Sequence, residues 1–109
     1  YTDWYLPSKD ELEILYRSFK PTTGSNHTGS GANSSSVPPT SNYTSGNPAQ
    51  TSIALFQSGG AEAMTDNYYW SSTEYSSSDA WLQSFYNGFQ YANLKTLTYY
   101  VRGVRRVPV

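Results

Sequence analysis

At 109 residues the chain has the length of one domain with a single modest core. Hydrophobic residues are scarce at 37% and aromatics abundant at 17%, with 11 tyrosines, so a few large side chains must supply most of the buried area. A net charge of −1 gives no long-range pull toward nucleic acid or an anionic membrane, and the lack of cysteine excludes disulfides, thiolate metal sites and cysteine nucleophiles.

The chain opens on Tyr1-Thr-Asp-Trp4 in structured-looking sequence with nothing resembling a signal peptide, as expected for the end piece of a longer protein. Ser8-Lys-Asp-Glu11 reads as a capping box, in which the serine hydroxyl accepts an early backbone N–H and the glutamate reaches back. Asp10, Glu11 and Glu13 put negative charge where the helix dipole favours it. Leu12, Leu15, Tyr16 and Phe19 form one apolar stripe at helical spacing, and Pro21 stops the run. Residues 22–46 carry no Asp, Glu, Lys or Arg and are mostly Ser, Thr, Gly, Asn and Pro, so we expect a long surface loop with little to bury. Sequons at Asn26, Asn33 and Asn42 fall inside it, of the kind that Ser/Asn-rich sequence produces by chance.

Asn47-Pro48 reads as a cap and first-turn proline for a short second helix carrying Ile53, Leu55 and Phe56, ended by Gly59-Gly60. Its run Ile53–Phe56 is the longest aliphatic-aromatic stretch and far too short to span a bilayer, so no membrane insertion is expected. Strand composition follows over Tyr68–Glu74, Ala80–Asn87 and Thr98–Val107, with Asn87-Gly88 as a hairpin signal. Along Ala80–Asn87, Trp81, Gln83 and Phe85 point one way and Leu82, Ser84 and Tyr86 the other. Helices followed by strands give an α+β fold around a twisted antiparallel sheet, residues 1–109 forming one domain.

Little here carries chemistry. Gly24-Ser-Asn-His-Thr-Gly29 has phosphate-loop glycine spacing, but Ser30-Gly31 stands where Lys-Ser/Thr is needed. His27 is the sole histidine and lies in low-complexity sequence, with no orienting partner for a general base. No nucleophile elbow and no His or Cys cluster occurs, so an enzyme is not expected. No cofactor is expected either: calcium needs only carboxylates and carbonyls, and Asp66, Glu74 and Asp79 could converge, without the dense spacing of a calcium loop. Arg102, Arg105 and Arg106 are the one basic cluster, able to hold sulfate, phosphate or an acidic glycan, or to pair internally with Asp3 or Glu74. From Tyr75 to Tyr100 the chain mixes Tyr, Phe and Trp with small hydroxyls and amides, a composition suited to contact surfaces. A small sheet with apolar groups on both faces is covered, oligomeric or binding something.

The blocks Asp3-Trp-Tyr-Leu-Pro-Ser-Lys-Asp-Glu-Leu12, Tyr69-Trp-Ser-Ser-Thr-Glu-Tyr75, Ala80-Trp81, Phe85-x-Asn-Gly88 and Tyr100-Val-Arg-Gly-Val-Arg105 resemble the C-type-lectin-like domains of bacterial and phage surface proteins. That group includes the C-terminal domain of the Legionella collagen-like adhesin and variable proteins diversified by retroelements. The likeness covers both ends of the chain and lapses across 22–46. It implies two helices flanking a twisted sheet, with Trp4, Leu6, Trp70, Trp81 and Val104 as buried framework, and an upstream first strand that is missing here. Mapped from the diversified relatives, the ligand-contacting positions are Tyr75, Asp79, Leu82, Tyr86, Phe89, Tyr91, Asn93, Leu94 and Tyr99. The motifs of calcium-dependent sugar binding and the cysteines of formylglycine-generating enzymes, which share the broad fold, are absent. The expectation is a non-enzymatic recognition or adhesion module, extracellular on a cell surface or virion, that binds a protein or glycan. The alternative is a structural self-assembly module of a fibre, tip or filament, forming a homo-oligomer such as a trimer.

Overall fold

The computed structural model describes residues 4–105. It is a small α+β fold of one α-helix, α1 (Lys9–Phe19), a single 3-10 turn (Ala54–Phe56) and three strands, β1 (Tyr68–Glu74), β2 (Asp79–Ser84) and β3 (Gln90–Leu94). The helix starts where the capping box places it. Glu11 N–H donates to Ser8 Oγ at 3.2 Å, and Ser8 N–H donates to Glu11 Oε1 at 3.1 Å. Leu12 and Tyr16 of its stripe are fully buried against β1 and β2, while Leu15 and Phe19 are half-buried, Phe19 packing on Phe56 with ring centroids 4.3 Å apart.

The sheet is antiparallel in the order β1-β2-β3. β2 ends at Ser84 rather than Asn87, because Phe85–Asn87 form the turn into β3; Gly88, at φ 78°, closes it by donating its N–H to the Ser84 carbonyl at 2.8 Å. Of the residues expected as a third strand at 98–107, the described ones, 98–105, form only isolated bridges, Tyr100 with Tyr69 and Val104 with Tyr5. Arg106 and Val107, like Asp3, lie outside the described residues. The expected second helix is absent. Asn47-Pro48 is a cis peptide, and the apolar residues after it supply one turn, since Ile53 and Leu55 find nothing to bury against and stay exposed.

Most of the polar segment 22–46 lies at the surface, as expected, but a few of its residues anchor it to the rest of the fold. Tyr43, Asn26, Ser30 and Asn33 are buried, and the segment lies over α1 and the inner sheet face. Apolar area does not hold it; satisfied polar groups do. Asn26 Nδ2 donates to the Pro48 carbonyl at 2.8 Å, and Asn33 Nδ2 donates to Glu13 Oε1 at 2.8 Å. Tyr43 OH donates to Glu13 Oε2 at 2.8 Å, and Arg17 Nε pairs with that oxygen at 3.1 Å. A buried carboxylate is tolerated because all these donors converge on it. Burial also hides the sequon asparagines Asn26 and Asn33, leaving Asn42 exposed.

The core is Leu12, Tyr16, Tyr43, Met64, Tyr69 and Phe85. The tryptophan framework implied by the resemblance is not what fills it. Trp4 is 52% exposed, and Leu6, Trp70, Trp81 and Val104 are half-buried. Tyrosine suits this interior because each buried hydroxyl meets a fixed partner: Asn26 Oδ1 accepts from Tyr16, Glu13 accepts from Tyr43, and Thr65 N–H donates to Tyr69. The indoles stand at the margins, Trp81 between Lys9 and Tyr75, and Trp70 against Tyr99.

Candidate functional site

Register divides the sheet into two faces. Tyr69, Ser71, Trp81, Gln83 and Gln90 look toward α1 and segment 22–46; Gln83 Nε2 donates to Tyr43 OH at 2.9 Å, and Gly31 N–H donates to Gln90 Oε1 at 3.0 Å. The opposite face carries Tyr68 and Trp70 of β1, Leu82 of β2, and Tyr91 and Asn93 of β3, with Leu82 opposite both Trp70 and Tyr91. Tyr99 comes over this face from the C-terminal segment, which runs beside β1 through Trp70 N–H to Tyr100 carbonyl at 2.9 Å.

A continuous row of rings results. His27 lies 4.4 Å from Phe89, and Phe89 stacks on Tyr91 at 4.8 Å with 14° between planes. Tyr91 meets Tyr68 edge-on at 5.7 Å, Tyr68 meets Tyr99 at 5.4 Å, and Tyr99 meets Trp70 at 5.2 Å. Edge-to-face contacts at such distances each add roughly 0.5–1.5 kcal/mol, so the row is pre-organised rather than a set of loose side chains. Burial, followed by the neighbouring phenols of Tyr99 and Tyr68, pushes the Tyr91 hydroxyl well above the ordinary tyrosine range. Tyr91 therefore presents a neutral hydroxyl within this ring surface.

The nine sequence candidates separate into three places and one exclusion. Phe89, Tyr91, Asn93 and Tyr99 come together on the outer face, Asn93 Nδ2 donating to Tyr99 OH at 3.4 Å. Tyr75, Asp79 and Leu94 sit at the β1–β2 hairpin end; Tyr75 packs edge-on to Trp81, and Asp79 pairs in register with Leu94. Tyr86, 55% exposed, stands alone at the other end, near Gly24. Leu82 is the correction: at 1% exposure it lies beneath the aromatic row and cannot touch a ligand. Facing away from the helix does not expose Leu82, because the outer face has its own cover of rings. Tyr68, Trp70 and His27 belong to the row and were missed. The alternation that set Leu82 apart from Trp81 could have found Tyr68 and Trp70 once the β1 register was known.

The charged residues do not gather. Glu74 pairs with Lys95 at 3.4 Å, and no three of His, Cys, Asp and Glu cluster among the described residues. Arg102 and Arg105 border a groove of about 320 Å³ beside α1, lined by Trp4, Leu15, Phe19, Phe56 and Met64. Apolar lining with two guanidinium groups at its edge makes it a second surface of different character from the aromatic row.

These features define a small α+β module that offers a row of aromatic side chains on the outer face of its sheet. A family model for the Lcl C-terminal domain matches residues 1–105, and the chain belongs to that family. The family is one of surface, adhesin-type modules. No curated protein and no solved structure matches the chain.

Proposed function

We propose that this protein is a non-enzymatic recognition module of a cell-surface or virion protein, binding a protein or glycan through the outer aromatic face of its sheet. The observation that carries the reading is the unbroken row from His27 through Phe89, Tyr91, Tyr68 and Tyr99 to Trp70. Rigid amphipathic rings give large contact area at small entropic cost, and their hydroxyls set orientation. A C-type-lectin-like fold is part of the proposal; the pairing of Tyr5 with Val104, which joins segments from the two ends of the chain, supports it. The test is binding of the purified chain to an immobilised glycan panel and to cultured cells. Phe89→Ala and Tyr91→Ala should each weaken the strongest interaction at least about tenfold while the fold survives. Wild-type binding by both folded variants would remove the row from the site.

A second reading has its own observation. The groove beside α1 is apolar, and Trp4, Ile14 and Leu55 near it are exposed, as a surface that packs against another chain would be. Under this reading the module assembles a fibre or tip, and light scattering over a range of concentrations would show an obligate oligomer rather than a monomer.

A further inference from the structure

The C-terminal end of α1 holds a lysine in an unusual setting. Lys20 is the C-cap residue, is 2% exposed, and has no carboxylate partner among the described residues. Its Nζ has two hydrogen-bond acceptors, the carbonyl oxygens of Gly24 and Pro48, the latter at 3.3 Å. An ammonium group has three N–H donors to satisfy, whereas a neutral amine has two and keeps a lone pair. Two acceptors at a buried position fit the neutral amine. Burial drives the same way, pushing the Lys20 amine below its ordinary pKa. A neutral, desolvated lysine amine is a nucleophile.

Its neighbour is an amide. Asn26 is buried, and its Nδ2 donates at 2.8 Å to the same Pro48 carbonyl that Lys20 uses, and at 3.1 Å to the Thr44 carbonyl. Both side-chain nitrogens thus sit on one carbonyl oxygen, Lys20 Nζ at 3.3 Å and Asn26 Nδ2 at 2.8 Å. Asn26 Oδ1 accepts a hydrogen bond of 2.5 Å from Tyr16 OH, whose phenol is held neutral by burial. A donor so close to an amide oxygen withdraws charge from the carbonyl carbon and stabilises any oxyanion that forms there.

We propose that Lys20 and Asn26 join in an intramolecular isopeptide bond with release of ammonia. Lys20 Nζ attacks Asn26 Cγ, and the oxygen of the tetrahedral intermediate is held by Tyr16 OH. One proton passes from Nζ to Nδ2, the Cγ–Nδ2 bond breaks, and the nitrogen leaves as ammonia past the carbonyls that already accept its hydrogens. One amine and one primary amide become one secondary amide and one ammonia, so neither oxidant nor cofactor is required. The product N–H can still donate to Pro48, and Tyr16 can still donate to the amide oxygen. The bond closes residues 20–26 into a ring and pins the start of segment 22–46 to the helix.

Intact-mass spectrometry of the folded, purified chain tests this directly. The mass should fall below that of the sequence by about 17 Da, one ammonia, and fragment spectra should join Lys20 to Asn26. Lys20→Met and Asn26→Ser should each restore the sequence mass, and Tyr16→Phe should lower the linked fraction. Succinimide formation at an asparagine loses the same mass, but it ignores residue 20 and is cleaved by hydroxylamine. An unmodified mass in the folded wild-type chain overturns the proposal whatever the variants do. So does a loss that persists in Lys20→Met or disappears with hydroxylamine.

Discussion

Replacing Tyr43 by phenylalanine isolates the interaction that makes a polar segment part of the fold. The ring would remain between Tyr16, 5.3 Å away, and the Arg17 guanidinium, 4.9 Å away. Only the hydroxyl goes, and with it the donor to Glu13 Oε2 at 2.8 Å and the acceptor for Gln83 Nε2 at 2.9 Å. Glu13 keeps Arg17 and Asn33, but Gln83 keeps only the Gly88 carbonyl at 3.3 Å, and its Oε1 is already buried without a partner. Losing a buried hydrogen bond to a charged acceptor costs about 1.5–3 kcal/mol, and the weakened Gln83 places the sum near the upper part of that range. For a domain of this size each kcal/mol moves Tm by about 4–8 °C, so a fall of about 10–20 °C is expected. Urea denaturation followed by fluorescence and far-ultraviolet circular dichroism measures the free energy, with an unchanged m value showing that the native and denatured states keep their compactness. A loss below about 0.5 kcal/mol would refute the claim that this network anchors 22–46, since changes at uninvolved surface positions stay within that size. Val37→Ser, at a position 98% exposed in the same segment, is the matched control and should change stability by less than that.

Leu82→Ala should destabilise by about 2–5 kcal/mol, as buried leucines do, and chemical denaturation would show it; near-neutral stability with lost binding would return Leu82 to the ligand surface. Tyr16, Tyr43 and Tyr91 are all held neutral, chiefly by burial, whereas unfolded tyrosines ionise near about pH 10. The stability these groups contribute is therefore complete below that pH and is lost as pH rises from it toward their folded values, so tyrosinate absorbance should rise cooperatively with alkaline unfolding. Gly59 and Gly88 both have positive φ, but a Cβ on Gly59 meets open space, while one on Gly88 would stand 2.7 Å from the rings of Tyr16 and Tyr43. Gly59→Ala should cost about 1–2 kcal/mol and Gly88→Ala clearly more, as thermal melts would reveal. Binding through the aromatic row should change little across salt that screens surface charge; steep weakening would transfer the site to Arg102 and Arg105.

Local signals were legible wherever a few neighbouring residues settle the outcome. Ser8 and Glu11 lie three positions apart and satisfy each other, so the start of α1 could be read directly. β1 and β2 were visible from their aromatic and β-branched runs. Failures came where distant partners decide. Asn47-Pro48 carries a helix-start signal, yet no surface waits for Ile53 and Leu55, and one turn is all that forms. The run at 98–105 has strand composition but its backbone forms bridges only at Tyr100 and Val104. Within the candidate site, alternation correctly set Leu82 apart from Trp81 but carried no information about Tyr99 arriving from above.

The sequence by itself determined the helix, its cap, the α+β class and the concentration of aromatic residues in the C-terminal half, because these depend on short-range spacing and composition. Tertiary structure alone decided which aromatics are core and which are surface. It chose Tyr16, Tyr43 and Tyr69 over the tryptophans and buried Leu82 under a second layer. It also anchored the polar segment 22–46 to the interior through Asn26, Ser30, Asn33 and Tyr43. The physical reason is the same in each case: a tyrosine, asparagine or glutamate is buried only where its hydrogen-bond partner is already fixed, and here those partners lie tens of residues away along the chain.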